Sequence, residues 1–407
     1  MESFQGLIFA TLLIKSTLVI NVFRLFITLI CFISCSGSGN KNNAAKAPID
    51  TTVRQVVDTV GSLTEAEFLH YHNSCRDFFG KILPPGVFNG SILVAKKGTI
   101  VFEENTGFTD PKLKQDTLTS HTAFHLASVS KTFTAMAILK LQQEGKLGLQ
   151  DTLSKYFNGF PYQGITIKML LSHRSGLPNY LHYLEKYKWD TKKMVTNADV
   201  LSSLYTYHPP LDFPSGKHFA YCNTNFVLLA LIIEIVSGEP YKNYMENNIF
   251  RPLQMNDTYV FSPADMSRAL PSFEWNNRKY PMEFLDVVYG DKNIYSTAEN
   301  MLRWDQALYP GRMFTKQTLD SAFSGYSFEK QGNRNYGLGW RMTFLPNGKK
   351  LLYHNGWWHG SNTVFIRLID EDAVIIVLSN KFNRRIYTTK NICNLFGDYM
   401  QAGDFEE

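Results

Sequence analysis

Residues 125–145 read HLASVSKTFTAMAILKLQQEG, a stretch from which both fold and chemistry can be inferred. Its apolar residues recur with helical spacing and Gly145 is a typical helix end, so the sequence predicts one long helix. Ser128 and Lys131 lie three residues apart at the front of this helix, where their side chains can converge. The unpaired N–H groups and the dipole of a first helical turn favour negative charge developing there. A serine in this position can attack a carbonyl carbon if a neighbour takes its proton.

The Ser-x-x-Lys pattern is weak when it stands alone. It recurs at Ser38–Lys41 and Ser327–Lys330, neither of which opens an apolar helix. An isolated occurrence is better explained by a helix N-cap and a solvated lysine. Lys131 can accept a proton only where burial or neighbouring charge keeps it partly neutral. Residues elsewhere in the chain must therefore decide between these interpretations.

The remaining sequence places strand-like runs near both ends of the chain. GSILVAKKGTIVFEENTGF predicts a hairpin around Lys96-Lys97-Gly98, and KLLYHN, NTVFIRLI and AVIIVLSN predict three late strands. Residues 150 to about 280 instead mix helical stretches with Pro/Gly loops, including VLLALIIEIVSG, an apolar helix that Gly238 stops. We therefore predict a sheet built from the N- and C-terminal parts, with a mostly helical lobe inserted at about 150–280.

Two further helices are predicted outside this frame. SLTEAEFLHYHNSCRDFFGKIL has helical periodicity, with Ser62 and Glu65 in capping-box spacing. TKNICNLFGDYMQ, at 389–401, has a helical pattern near the end of the chain.

The composition excludes several classes of protein. The 407 residues are 44% hydrophobic and 19% charged, with a net charge of +5 and no long run of like charges, so we expect no nucleic-acid partner. No GxSxG, HExxH, GxGxxG or GK[ST] pattern occurs, which removes the usual α/β-hydrolase, zincin, dinucleotide and P-loop sites. The five cysteines form no CxxC pair, which excludes a disulfide scaffold and a cysteine-built metal site. Whether Cys75 and Cys393 pair is left open.

The N-terminal region predicts an exported protein. Arg24 precedes the apolar run LFITLICFI, which ends at Ser34–Cys35, an arrangement typical of an export signal. Ser34–Cys35 resembles a bacterial lipobox, in which Cys35 is lipidated and becomes the mature N-terminus. An uncleaved anchor helix through residues 6–34, or a misassigned start, would place the catalytic part on the same side of the membrane. The predicted organisation is a signal peptide with lipobox at 1–35, a flexible tether at 36–60 and a catalytic domain at 61–400, held in the cell envelope by a lipid anchor.

Two later stretches join the Ser-x-x-Lys pattern. HFAYCNTNFVLLALIIEIVSGEPY carries Tyr221 and Asn223 before its apolar helix, and KLLYHNGWWHGSNTVFIRLI carries His354 and Gly356 at a strand end. This order of motifs resembles the serine β-lactamase and penicillin-binding protein superfamily, in its class C-like branch of peptidases, esterases and β-lactamases. The resemblance covers roughly residues 60–400, and includes the stretches LLSHRSGLPNY, PLQMNDTYVF, YSTAENMLRW and NYGLGWRM. It implies an α/β (α+β) β-lactamase/transpeptidase-like fold, with an antiparallel sheet flanked by helices.

The resemblance also implies a role for each motif residue. Ser128 would be the nucleophile, Lys131 its proton partner, and Tyr221 the base for acylation or the acid for the leaving group. Asn223 would bond Lys131 and the substrate carbonyl. The backbone N–H groups of Ser128 and Trp357 would form the oxyanion hole, and Gly356 would let substrate lie against the strand. His173, in SHRSGLP, and Cys222 are not expected to take part in catalysis.

His354 is a departure from the motif of many relatives, which carry Lys there to hold a substrate carboxylate. An imidazole is mostly neutral at pH 7, so His354 is a weaker anchor, and we expect less efficient β-lactam hydrolysis. Trp357, Trp358 and His359 follow it and form a candidate aromatic wall. Whether Trp358 contacts substrate or only packs is left open.

The sequence thus predicts a serine hydrolase that cleaves an amide or ester bond through an acyl-serine, without metal or cofactor. By resemblance, its substrate is a peptidoglycan-like D-amino-acid peptide, as for a D-Ala-D-Ala carboxypeptidase, or a small ester. One alternative is a true class C-like β-lactamase that turns over β-lactams. Another is a non-catalytic lipoprotein that binds penicillin or peptidoglycan.

Overall fold

The computed structural model describes residues 63–399. The export signal at 1–35 with Cys35, the tether at 36–60 and Ser62 lie outside the described residues. The strands are β1 Gly90–Lys96, β2 Thr99–Thr106, β3 Phe108–Asp110, β4 Gln115–Thr117, β5 Phe124–His125, β6 Tyr259–Val260, β7 Ile294–Ser296, β8 Arg334–Tyr336, β9 Arg341–Phe344, β10 Lys350–Trp358, β11 Ser361–Leu368 and β12 Ala373–Ser379. The α-helices are α1 Glu65–Ile82, α2 Ser130–Gln143, α3 Ile167–Leu171, α4 Tyr180–Lys186, α5 Asn197–Tyr207, α6 Asn223–Ser237, α7 Tyr241–Met245, α8 Ala298–Ala307 and α9 Lys316–Ala322.

One antiparallel sheet of seven strands forms the centre of the fold, in the order β2-β1-β12-β11-β10-β9-β8. β1 pairs with β12, with Gly90 opposite Ser379, so the two ends of the described chain meet there. β1 and β2 join through Lys97 and Gly98, whose φ angles of 50° and 72° fit the left-handed turn of a tight hairpin. The predicted hairpin and late strands are confirmed, and so is the mixed fold of helices and antiparallel sheet.

Helices bury both faces of this sheet. Successive strand residues point to opposite faces, so Leu93 joins the inner cluster, which includes buried residues of α2 and α6. Its neighbours Ile92 and Val94 join the outer cluster, with buried residues of α1 and of the 3₁₀ helix Arg384–Leu395. β11 and β12 are buried along their whole length, which explains their nearly continuous apolar sequences.

Helices α3 to α7 lie within the span predicted to be mostly helical. Most of α6 is buried, and it contacts α2, α3, α5 and α7. It ends at Gly238, which takes a left-handed φ of 72° and donates its N–H to Glu234 O, as the sequence predicts. Between residues 63 and 399 no single helix is long and apolar enough to cross a membrane; α6 and Tyr241–Phe250 meet the requirement only as a pair bent by 78°.

Both predicted outer helices need correction in detail. The capping box of α1 is formed by Thr64 and Glu67 rather than by Ser62 and Glu65, since the Thr64 side chain accepts from the Glu67 N–H and the Glu67 carboxylate accepts from the Thr64 N–H. The C-terminal segment is a 3₁₀ helix rather than an α-helix. Three of its four buried residues recur every third position, at Ile386, Thr389 and Ile392, which suits three residues per turn; the fourth is Cys393.

The cysteines within the described part of the chain are all free. Cys75 and Cys393 are buried in the outer cluster but form no disulfide, which settles the open pairing. Burial raises the pKa of each of these two thiols to about 12.

Candidate active site

Ser128 lies in a 3₁₀ turn, Ala127–Val129, directly before α2 rather than in the first turn of the α-helix. Ala127 takes a φ of +47°, a left-handed conformation that a non-glycine residue keeps only when its surroundings impose it. Two hydrogen bonds fix the preceding residue: Leu126 N–H donates to Ile294 O (2.8 Å), and Leu126 O accepts from Thr363 Oγ1 (2.8 Å). The turn thus places Ser128 between the helices and the sheet.

The structure brings Lys131 and Ser128 together as their spacing predicts. Lys131 is fully buried, and its Nζ donates to Ser128 Oγ (3.1 Å) and to the backbone carbonyl of Asp291 (2.7 Å). The same ammonium lies 5.0 Å from the ring centre of Tyr221 and 5.7 Å from that of Phe226. No carboxylate within residues 63–399 lies within 4 Å of it. Lys131 is therefore held by a hydroxyl, a carbonyl and two aromatic faces.

Two cations lie close to the Tyr221 ring. Lys131 Nζ and the Arg341 guanidinium carbon are each 5.0 Å from the ring centre. The phenol oxygen is buried and has no hydrogen-bond partner in the described part of the protein. This unpartnered hydroxyl suits a group that accepts the proton of Ser128 or donates a proton to a leaving group.

His173 holds the loop that carries Tyr221. Its Nδ1 accepts from the Cys222 N–H (3.1 Å) and its backbone carbonyl accepts from the Ala220 N–H (2.9 Å). Burial, together with nearby Lys131, lowers the pKa of His173 well below its usual value. Cys222 points away, donating its thiol to Leu177 O (3.2 Å), and burial raises its pKa to about 11. Both residues act on the shape of the loop.

Asn223 lines the cleft but does not make the predicted bond to Lys131. Its Nδ2 lies 3.5 Å from Asn179 Oδ1, and the Asp291 carbonyl is the second acceptor of Lys131 instead. Asn223 is the first residue of α6, and its side chain faces the loop before α4 rather than Lys131.

His354 points into the protein, not into the cleft. It is fully buried, with Nδ1 2.8 Å from Asn355 O and Nε2 3.2 Å from Tyr336 Oη. Because a carbonyl only accepts, Nδ1 carries the proton and Nε2 accepts from the Tyr336 hydroxyl. Burial, helped by Arg341 and Lys131, lowers the pKa of His354 well below its usual value. His354 is thus neutral, and the predicted substrate contact is replaced by a structural one.

Gly356 lies where β10 approaches the turn that carries Ser128. A Cβ there would lie 2.1 Å from Thr363 Oγ1 and 2.4 Å from Leu126 O, so no side chain fits without movement. β9 pairs with β10 only as far as Tyr353, so no described strand covers the β9-side edge of β10 beyond it. That edge is open to an extended substrate.

The two tryptophans after Gly356 differ in position. Trp357 lines the cleft, and 65% of its surface is exposed. Its own backbone N–H is the group that the family resemblance assigns to the oxyanion hole. Trp358 packs instead: Lys292 Nζ lies 4.6 Å from its ring centre, and its Nε1 donates to Asp286 Oδ1 (2.8 Å). The choice left open for Trp358 is thus decided in favour of packing.

The cleft itself has a volume of about 1080 Å³. Ser128, Tyr221, Asn223, Gly356 and Trp357 all line it. Five of its six charged lining residues are cationic, and the sixth is Glu329. The cations are Lys330, Arg334, Arg341, Arg384 and Lys390. Among the described residues, no group of three His, Cys, Asp or Glu side chains is placed to hold a metal ion.

A sequence model of the family described as Beta-lactamase matches residues 85–392. The chain belongs to this family. Penicillin-binding protein 4* of Bacillus subtilis (strain 168) is 35% identical over 312 residues, which are 72% of this chain and 68% of that protein. The chain spans 59–61% of the length of further curated relatives.

Solved structures share the fold of this chain. A penicillin-binding protein from Bacillus halodurans superposes with a TM-score of 0.68 at 23% identity, over 80% of this chain and 99% of that one. A D-amino acid amidase from Ochrobactrum anthropi SV3, complexed with L-phenylalanine amide, gives a TM-score of 0.62 at 21% identity, over 76% and 91%. The chain is a serine hydrolase of the β-lactamase and penicillin-binding protein superfamily, as the sequence predicts.

This β-lactamase-family cleft contains charged groups that the sequence interpretation did not assign. Arg341 lies in NYGLGWRM, quoted above only for its resemblance. Arg174 donates to both oxygens of Glu329, which also accepts from the Phe219 N–H (2.6 Å), so the 327–335 loop is tied to the loop before Tyr221. Asp291 contributes its backbone carbonyl, which accepts a hydrogen bond from Lys131 Nζ. Arg341 and Arg174 each left a sequence signal, a cation within a family-like stretch, since Arg174 lies in LLSHRSGLPNY.

Proposed function

We propose that this chain hydrolyses an amide or peptide bond in substrates that end in a D-amino acid with a free carboxylate. The observation that carries the proposal is Arg341. Its guanidinium lines the cleft beside Tyr221, and no hydrogen bond or ion pair within residues 63–399 occupies it. A planar guanidinium matches a carboxylate in two parallel hydrogen bonds. Because His354 is buried and neutral, it does not bind the carboxylate, and Arg341 is the cation placed to bind it.

The charge of the cleft supports an anionic substrate. Five of its six charged lining residues are cationic, and the one acid, Glu329, is already paired with Arg174. A D-amino acid amidase is among the neighbours of similar fold, and its name fits the D-amino-acid part of the proposed substrate.

The geometry supports a two-step reaction. Ser128 Oγ bonds to the carbonyl carbon while its proton passes to the Lys131–Tyr221 pair, and the N–H groups of Ser128 and Trp357 stabilise the oxyanion. The C–N bond then breaks, and the proton passes to the leaving amine. A water molecule, deprotonated by the same pair, attacks the acyl-serine. The acid leaves and the proton returns to Ser128 Oγ.

The test compares an N-acylated D-Ala-D-Ala substrate with its C-terminal amide. We expect the free carboxylate to raise kcat/KM by about 10- to 100-fold, the contribution of a hydrogen bond to a charged group. Arg341→Met should remove the preference, while Arg334→Met, another cleft arginine, should keep it. Equal kcat/KM values for both substrates in the wild-type protein would contradict the proposal. Fast turnover of nitrocefin would instead favour the β-lactamase alternative.

We further propose that the protein is exported and lipid-anchored through Cys35, as its N-terminal sequence suggests. Cells fed a radiolabelled fatty acid should label the wild-type protein but not Cys35→Ala. Labelling of the variant would contradict the proposed anchor.

A further inference from the structure

The segment 286–294 connects the two sides of the cleft. On one side three of its backbone groups bond to side chains of α2: Gly290 O accepts from Thr134 Oγ1 (2.6 Å), Asp291 O accepts from Lys131 Nζ (2.7 Å), and Ile294 N–H donates to Ser130 Oγ (3.1 Å). The helix that carries Lys131 is therefore hydrogen-bonded to this segment at three residues.

The same segment is attached to the end of β10. Asp286 Oδ1 accepts from Trp358 Nε1 (2.8 Å) and lies 3.0 Å from His359 Nε2. Asn293 Nδ2 donates to the carbonyls of Asp286 and Val288 (both 2.8 Å), which closes the segment on itself. A shift of β10 relative to α2 would have to break these contacts.

Lys292 occupies the middle of this connection. Only 3% of the residue is exposed; its Nζ lies 3.6 Å from Asp291 Oδ2 and bonds to the Tyr180 hydroxyl. The Tyr180 hydroxyl in turn donates to Asp291 Oδ2 (2.9 Å), and the Lys292 ammonium faces the Trp358 ring. A buried ion pair is often no more stabilising than apolar residues of similar volume, so stability alone does not account for this one.

We propose that Lys292 is a positioning residue that keeps Lys131 in register with the oxyanion-hole strand. It acts through Asp291, whose carbonyl holds Lys131, and through Trp358, the neighbour of the oxyanion donor Trp357. Lys292 neither contacts Ser128 nor lines the cleft. The inference rests on the acyl-serine mechanism proposed above, but not on its substrate.

Lys292 also adds a positive charge near Lys131. A positive charge there opposes protonation of the site, so its loss should move the acid limb of activity to higher pH. The other titratable or charged groups near Lys131 are not substituted in the variant: Tyr221 from the loop before α6, His173 from the loop after α3, Arg341 from β9 and His354 from β10. The Asp291 carboxylate also remains, without its ion-pair partner.

The test measures the second-order rate at which a fluorophosphonate labels Ser128, as a function of pH, together with the melting temperature. This readout needs no natural substrate, so an error in the proposed substrate does not affect it. Lys292→Met should label about 10²-fold more slowly, the effect of a misplacement near 1 Å, with its acid limb shifted upward. Lys292→Arg should stay near the wild-type rate. Lys292→Met/Asp291→Asn should regain the wild-type acid limb, because both charges are removed, yet label slowly.

Two results would overturn the inference. One is a Lys292→Met protein that labels within threefold of the wild-type rate with an unshifted acid limb. The other is a double variant with the wild-type rate, which would make the pair a structural contact only. If Lys292→Met does not fold, the double variant and Lys292→Arg decide the question. Failure of the wild-type protein to label at all would refute the acyl-serine mechanism itself.

Discussion

A methyl group added at Gly356 would enter the space between β10 and the turn that carries Ser128. Its nearest backbone atom would be Leu126 O at 2.4 Å, whereas ordinary contact begins near 3.4 Å. Because a backbone atom cannot rotate away, β10 and the turn must separate by about 1 Å, enough to cost about 10² in rate. Loss of one oxyanion donor costs about 10²–10³. Gly356→Ala should therefore slow acylation by about 10²–10³, or about 3–4 kcal/mol.

The same change should also destabilise the protein. The methyl group would lie 2.1 Å from Thr363 Oγ1, whose hydrogen bond to Leu126 O would have to break. Overpacking of this kind costs about 1–3 kcal/mol of unfolding free energy.

The assay is the burst rate of acylation with a chromogenic ester, with melting temperature measured alongside. Gly80→Ala is the matched control, because a Cβ at Gly80 in α1 meets no atom within 4 Å. It should acylate at the wild-type rate. A Gly356→Ala protein that acylates within threefold of wild type would refute the close approach on which the oxyanion hole depends.

Three further outcomes are expected. Arg367→Met should lower the unfolding free energy by about 3–5 kcal/mol, because it leaves the buried Asp305 carboxylate without its ion-pair partner. The double variant Arg367→Met/Asp305→Leu should lose much less unfolding free energy, as measured by urea denaturation. Tyr221→Phe should lower kcat/KM by about 10²–10⁴ without a fall in melting temperature, as expected of a group that transfers a proton; an unchanged kcat/KM would exclude that role. Mapping of alkylated peptides should find Cys75 and Cys393 unmodified in the native protein and modified once it is unfolded, because both thiols are buried; rapid native modification would contradict their burial.

Local patterns predicted the parts of this fold that local physics determines. Ser128 and Lys131 meet because side chains three apart share a side of a helix, and the Lys97–Gly98 hairpin follows from turn chemistry. The helix stop at Gly238 is equally local. Each of these needs only a few neighbouring residues.

Contacts between distant segments could not be predicted in this way. Lys131 donates to the backbone carbonyl of Asp291, a group that every residue type has, so no sequence pattern marks it. Asn223, the predicted partner of Lys131, lies beside Asn179 instead. His354 shows a second difficulty: alternation along a strand assigns residues to two faces but does not say where each side chain ends. Its burial against Tyr336 appears only once β8 and β10 are placed in one sheet.

The most direct test is intact-mass spectrometry of the protein after incubation with penicillin and, separately, with a fluorophosphonate. We expect one fluorophosphonate adduct per chain on the wild-type protein and none on Ser128→Ala. A penicillin adduct that lasts for hours would favour a peptidase, and one that disappears as the drug is consumed would favour a β-lactamase. No adduct with either reagent, or an adduct that survives in Ser128→Ala, would contradict Ser128 as the nucleophile.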